Sequence, residues 1–325
     1  MALIFMEGFD DGLMQQKGWV GTWSPTNYPS TVAGRFGGKA MQEAYIGGVQ
    51  RTYATPLTGT VTLGCGVMPW GVTSTMTILT HGMARLKVAT GGNLALYRSD
   101  NDTQVAITPG AVWTTGNVWR FVELMYVVST GACEVRVDGV VVLSGTVPTA
   151  SSITSISFPN QANGTYINID DIYVLDATGT TNNTYLGDVR VQTLLPSADG
   201  TNLAMTPDSG TTHYNRVNEA TPDTTSYVSS ASAGVKDSYR YQQLAANTSS
   251  VYGVAVTSYS SKDAPVAAGV ATLVRLGGAD YVNAQVQSLS ASWVAGTDLY
   301  QVRPSDSAPW TPTDINSAEF GIQTS

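Results

Sequence analysis

Apolar and polar residues alternate with period two through several stretches of the first half of the chain. Residues 61–67 and residues 133–137 each place their apolar side chains on one face. Because successive side chains of a strand point to opposite faces, this alternation predicts half-buried antiparallel strands. Asp138-Gly139 is a typical hairpin-turn pair, and residues 140–143 form the returning strand.

Residues 119–128 are apolar on both predicted faces, which indicates a central strand covered on both sides. Further strands are predicted at residues 167–175 and 186–195. A helix start occurs only late in the chain, where Thr311 can cap, Pro312 suits the first turn and Asp314 faces the positive helix end. The pattern therefore predicts an all-β chain with one short helix near 312–317.

Residues 177–184 are small and mostly polar, which is typical of a linker between two domains. We predict a first β-sandwich over residues 1–177, a linker over 178–186, and a second β-sandwich over 187–325. We expect the second domain to serve in assembly or docking.

Composition supports short strands and tight turns, since only 12% of residues are charged while 42% are hydrophobic. The formal net charge is −8 and no Lys/Arg run occurs, so nucleic-acid binding is not expected. Apolar runs are too short for a membrane helix. No basic segment precedes the apolar start, so we predict no signal peptide and folding in a cytoplasm. There, Cys65 and Cys133 are expected as buried free thiols, with a disulfide as the alternative.

Catalytic patterns are absent from the sequence. His81 and His213 are the only histidines and have no metal-ligand spacing to a second His or Cys. There is no G-x-S-x-G elbow and no P-loop. The carboxylates Glu123, Glu134 and Asp138 lack the same-strand spacing of glycoside hydrolases. We therefore predict no enzymatic activity.

Asp170 and Asp171 are adjacent, so on a regular strand they point to opposite faces. The apolar phase changes across them, which favours a β-bulge. The alternative is a hard-cation site, such as Ca²⁺, made from one of these residues with Asp10 or Asp11. No other cofactor is expected.

The tryptophans divide into two predicted groups. We expect packing roles for Trp19, Trp23, Trp113 and Trp119, with sugar stacking by exposed aromatics as the alternative. Trp293 and Trp310 lie beside turn-like segments of the second domain and are candidates for a subunit contact.

Two motifs carry a resemblance to known families. The segment from Trp119 to Leu124, followed by the run from Glu134 to Gly139, resembles the core of laminin-G or concanavalin-like jelly rolls. The opening residues 7–10 and the closing residues 169–174 are similar to the first and last strands of such domains, which pair with each other. The resemblance implies a jelly-roll sandwich for the first domain.

The junction resembles a second family. Residues 169–175 followed by 185–191, with the late segments 258–263, 277–281 and 310–321, are similar to tailed-bacteriophage virion proteins that join a concanavalin-like domain to a second β domain. This implies a non-enzymatic structural protein of a fibre, tail, collar or head decoration. Its expected location is the virion, and its expected partners are other virion proteins in a homo-oligomer. The alternatives are an adhesin that binds host surface glycans and a polysaccharide depolymerase.

Overall fold

The computed structural model describes residues 2–21, 32–43, 48–159 and 166–325. The chain divides into two compact units. The first comprises Met1–Asp10 and Gly18–Val191, and the second comprises Asp11–Lys17 and Gln192–Ser325. The first unit thus runs past residue 186, where the predicted linker ends.

In the described residues of the first unit, the regular elements are all strands. In chain order they are β1 (Leu3–Glu7), β2 (Trp19–Gly21), β3 (Val32–Ala33), β4 (Lys39–Glu43), β5 (Val49–Leu57), β6 (Thr60–Pro69), β7 (Met76–His81), β8 (Ala84–Val88), β9 (Leu94–Arg98), β10 (Gln104–Ile107), β11 (Arg120–Val127), β12 (Ala132–Val137), β13 (Val140–Thr146), β14 (Ile153–Phe158) and β15 (Ile167–Asp176). One sheet has the order β13-β12-β11-β6-β15-β4-β3, with β1 also on β15, and the other has the order β10-β9-β8-β7-β14-β5-β2.

The inner faces of these two sheets form the core of the first unit. Val61, Leu63, Cys65 and Val67 on β6 are fully buried, as their alternation predicts. β11 lies between β12 and β6 and is buried on both faces, which confirms the predicted central strand. The β12–β13 hairpin turns at Asp138 and Gly139 with positive φ. The first strand lies at Leu3–Glu7 and not at the expected residues 7–10, and it pairs with β15, the last strand of the unit.

The second unit is built around one six-stranded sheet. Its elements are β16 (Pro196–Leu203), β17 (Thr206–Pro207), a 3-10 turn (Tyr214–Arg216), β18 (Val228–Ser229), β19 (Lys236–Tyr241), β20 (Val254–Ser260), β21 (Gly269–Leu276), β22 (Ala279–Val282), β23 (Gln287–Ser288), β24 (Val294–Tyr300), α1 (Pro312–Ser317) and β25 (Glu319–Thr324). The order is β16-β19-β25-β21-β22 with β23 on β21, and β20–β24 and β17–β18 form separate ribbons.

The core of the second unit joins this sheet to the β20–β24 ribbon and to α1. Val256 of the ribbon, Val274 and Phe320 of the sheet, and Ile315 of the helix belong to one buried cluster. Thr311 caps α1 in a reciprocal capping box with Asp314, so the predicted helix is confirmed. The fold is all-β with this single short α-helix among the described residues. None of their helices is long and apolar enough to cross a membrane.

Three local predictions are settled by the fold. Asp171 has φ of 52° and the β15–β6 register shifts between Asp170 and Tyr173, which confirms the predicted bulge. Cys65 and Cys133 are free and buried, and burial raises the pKa of both thiols. Residues 186–195 are not a strand, because their backbone forms no ladder.

The tryptophan predictions divide. Trp19 and Trp113 are each 1% exposed and belong to the core, as predicted. Trp119 is only half-buried, because it lies just before β11, outside the central part of the sheet. Trp23 lies outside the described residues.

Candidate functional site

One end of β6 presents two aromatic rings on the outer face of the larger sheet. Positions 61, 63, 65 and 67 point into the core, so positions of the opposite phase point outward. Trp70 follows β6 in this outward phase and is 49% exposed. Its ring centroid lies 5.2 Å from that of Tyr166, and its backbone N–H donates to the Tyr166 carbonyl at 3.0 Å.

Two amide side chains fix the Trp70 indole. Trp70 Nε1 donates to Asn168 Oδ1 at 3.2 Å, and Gln42 Nε2 donates to the same oxygen at 3.1 Å. Asn168 is 1% exposed in β15 and pairs in register with Gln42 on β4. We call Trp70, Tyr166, Asn168 and Gln42 the aromatic–amide surface. Its accessible ring is held in one orientation by a buried partner.

Farther along β6 the same outer face is covered by residues 185–191, which we call the junction segment. The Gly187 N–H donates to Glu123 Oε1 at 2.9 Å, and the Leu186 N–H donates to the Tyr173 hydroxyl at 3.2 Å. The Tyr173 hydroxyl in turn donates to Glu123. Glu123 is 1% exposed beneath this cover. These side-chain acceptors take the place of a strand partner for the junction segment.

The pairing of β11 with β12 places Glu123 and Glu134 on the same face of the sheet, although they belong to different strands. Glu123 on β11 lies opposite Arg136 on β12, and Glu134 lies two residues before Arg136, so both carboxylates lie on the outer face. Glu134 pairs with Arg136 at 2.8 Å, and the Arg136 guanidinium lies 3.7 Å from the Tyr185 ring centroid. Sequence spacing missed this cross-strand proximity.

Arg35 supplies the positive charge next to the adjacent aspartates. Its guanidinium lies 3.5 Å from Asp171 Oδ2, donates to the Val189 carbonyl at 3.1 Å and pairs with Asp188. The Arg35 backbone N–H donates to Asp170 Oδ2 at 2.8 Å. Burial raises the pKa of both Asp170 and Asp171, and the charge of Asp171 raises that of Asp170 further. Each carboxylate therefore already has partners within the protein.

Among the predicted cation ligands, Asp10 lies close enough to Asp170 for its charge to add to the effect of burial and raise the pKa of Asp170 further. Asp10 accepts the Lys39 backbone N–H at 2.7 Å, whereas Asp11 belongs to the second unit and pairs with Lys17 at 2.5 Å. Within the ranges that the structure describes, no group of three or more His, Cys, Asp or Glu could hold a metal ion.

The two tryptophans predicted for a subunit contact differ in location. Trp310 is 3% exposed in the core of the second unit, and its Nε1 donates to the Tyr300 carbonyl at 3.0 Å, so it lies away from the surface. Trp293 is half-buried between Tyr227 and Tyr259, with centroid distances of 6.4 and 5.4 Å. Tyr227 is 40% exposed, so this aromatic cluster reaches the surface.

Sequence reasoning missed Trp70 as a functional candidate. The available signal was the alternation along β6. The apolar residues 61, 63, 65 and 67 face inward, and Trp70 falls on the alternate positions, which face outward. Its partner Asn168 could not be inferred, because their contact joins strands about a hundred residues apart, at a separation of 98.

No protein-family model matches the chain, and no curated protein matches it. Among solved structures, the chain is similar to a sialidase, with 12% identity, a TM-score of 0.41, and coverage of 53% of this chain and 18% of that one. It is also similar to domain 4 of the arabinanase AbnA from Geobacillus stearothermophilus, with 19% identity, a TM-score of 0.38, and coverage of 54% and 93%. The carbohydrate-binding module CBM66 from Bacillus subtilis matches with 8% identity, a TM-score of 0.34, and coverage of 49% and 96%.

The chain spans less than a fifth of the sialidase that it matches. The similar structures include both enzymes and binding modules.

Proposed function

We propose that the first unit is a non-catalytic glycan-binding module that contacts sugars through the aromatic–amide surface. The observation that carries this proposal is Trp70, a half-exposed indole held in one orientation by the buried Asn168. A large exposed aromatic side chain is costly to leave in water, and a fixed ring binds without a large ordering cost.

The chemistry of this surface suits a sugar ring. The apolar C–H face of a pyranose packs on an aromatic ring, while amides donate to and accept from its hydroxyl groups. Tyr166 widens the aromatic contact beside Trp70, and Gln42 places an amide next to it. Small-molecule sites typically combine an apolar surface with a small number of polar groups around it.

The environments of Glu123 and Glu134 support the proposal that the module is non-catalytic. Glu123 is closed off beneath the junction segment, and Glu134 is paired with Arg136. Glu123 is therefore closed to a substrate, and Glu134 is held in an ion pair. A reducing-end assay on host capsule or lipopolysaccharide tests this, and turnover that disappears in Glu123→Gln would establish a depolymerase instead.

Replacing Trp70 by alanine is expected to weaken glycan binding by at least about tenfold, since aromatic anchors of binding sites carry ~1.4 kcal/mol or more. Binding is measured on an array of bacterial surface glycans and then by titration with the best ligand. The melting temperature should change little, because Trp70 is half exposed.

Trp293→Ala is the matched control for Trp70→Ala, because it removes an equal side chain from the second unit. It should leave glycan binding unchanged. A chain that binds no glycan on the array, or whose affinity for its best ligand is unchanged by Trp70→Ala, would refute the proposal.

The phage-virion role is a second candidate function, favoured by the aromatic cluster around Trp293. Aromatic residues are enriched in protein interfaces, and Tyr227 keeps this cluster accessible. The proposal is that the second unit joins the chain to a homo-oligomer or to another virion protein while the first unit binds host glycan. Light scattering of concentrated protein tests it, with Trp293→Ala expected to reduce oligomer formation and a wild-type chain that stays monomeric counting against it.

A further inference from the structure

The second unit contains a pocket of about 210 Å³ with polar and apolar lining residues. It lies between the β20–β24 ribbon and strands β21 and β23 of the six-stranded sheet. The residues that line it include Ser258, Thr272, Gln285, Gln287 and Asp298, together with Val270 and Val286.

The carboxylate of Asp298 is held in a defined orientation. Its Oδ2 accepts the Thr272 hydroxyl at 2.5 Å, and that hydroxyl lies 2.7 Å from the hydroxyl of Tyr300. Thr272 is 3% exposed, so the support behind the carboxylate is rigid. Asp298 Oδ1 has no hydrogen-bond partner in the described part of the chain. The pocket therefore has a positioned acceptor with unused capacity.

The Gln287 amide is positioned in a similar way. Its Oε1 accepts the Ser258 hydroxyl at 3.2 Å, which leaves the amide nitrogen as a donor. Gly296 makes this arrangement possible, because a Cβ at that position would lie 1.9 Å from Gln287 Oε1. A larger residue at that position would have to displace the end of the Gln287 side chain from the pocket.

These groups define the chemistry of a ligand. Vicinal hydroxyl groups donate to a carboxylate and accept from amides, and the two valines match the C–H surface of a ring. None of the described lining residues is cationic, so an anionic ligand would meet Asp298 uncompensated. A pocket of this volume is large enough for a ligand of about one small ring.

We propose that this pocket binds a neutral polyhydroxylated ligand about the size of one sugar ring. The site is separate from the aromatic–amide surface of the first unit and does not rest on the function proposed for it.

Saturation-transfer NMR tests the proposal on the full chain, with the methyl glycosides of glucose, galactose, mannose and N-acetylglucosamine at millimolar concentration as probes. At least one should bind to the wild-type chain. Asp298→Asn should weaken that binding about tenfold, because it replaces the charged acceptor with a weaker neutral one. Gln285→Ala, which removes one amide without touching the Thr272 contact, should weaken it several-fold.

Trp70→Ala separates this site from the first unit: a glycoside signal should remain in that variant, and Asp298→Asn should weaken the signal that remains. The proposal is overturned if none of the probes binds, or if binding is unchanged in both Asp298→Asn and Gln285→Ala. It is also overturned if Trp70→Ala abolishes the signal, or if a diamine such as putrescine binds in preference to every glycoside.

Discussion

Trp19→Ala should destabilise the first unit by about 3–5 kcal/mol, the usual loss for a large aromatic removed from a core. Trp19 is 1% exposed, and its ring centroid lies 5.9 Å from Phe5, 5.8 Å from Phe9 and 6.0 Å from Phe158. Phe5 and Phe9 belong to one segment and Phe158 to β14, so the cavity cannot close by a movement of one loop.

Differential scanning calorimetry of the full chain measures this effect, as a fall of about 10 °C in the transition of the first unit. Trp119→Ala is the matched control, because Trp119 is half-buried and should lose less than half as much. Trp19→Phe should also lose less than alanine, since Trp19 Nε1 is buried with no hydrogen-bond partner among the described residues. Equal losses for Trp19→Ala and Trp119→Ala would contradict this account of the core.

The fold was predictable where local pattern and burial coincide. The alternation at 61–67, the hairpin pair Asp138-Gly139 and the cap at Thr311 are each decided by neighbours close in sequence. Such positions follow from strand periodicity and turn chemistry alone.

The errors occur where distant contacts decide the structure. Residues 186–195 have the composition of a strand, but side chains of Glu123, Tyr173 and Asp171 bind the backbone of the junction segment in place of a ladder. The position of Trp70 likewise depends on Asn168, and no local pattern reports such a pairing. The strands could therefore be predicted from the sequence, whereas the groups of side chains that meet across strands could be identified only from the structure.

The charge arrangement at the bulge shows the same dependence on distant residues. Asp170 and Asp171 suggested an added cation, yet the neighbouring positive charge comes from Arg35, which is separated from Asp171 by 136 residues. The Arg35 side chain is 7% exposed and that of Asp171 is 3% exposed. A buried pair of this kind contributes little net stability when intact, but removal of one partner leaves the other charge without compensation.

Arg35→Met should therefore cost about 3–5 kcal/mol at neutral pH, since methionine keeps much of the aliphatic volume and removes the charge. The loss should shrink as the pH falls. Burial raises the pKa of Asp170 and Asp171 above the ordinary carboxyl value of 3.8, so the folded state binds protons before the unfolded state does. Acidification from neutral pH toward 3.8 thus favours the folded form, most strongly in the variant that lacks Arg35.

Urea unfolding of wild type and Arg35→Met at a series of pH values measures this difference, and Asp171→Asn supplies the control. The double variant Arg35→Met/Asp171→Asn should recover part of the loss, because the uncompensated carboxylate is gone. Arg136→Met, which removes a more exposed guanidinium paired with Glu134, should cost at most about 1 kcal/mol. A loss for Arg35→Met that is independent of pH, or that simply adds to that of Asp171→Asn, would show that Arg35 acts through packing and not through its charge.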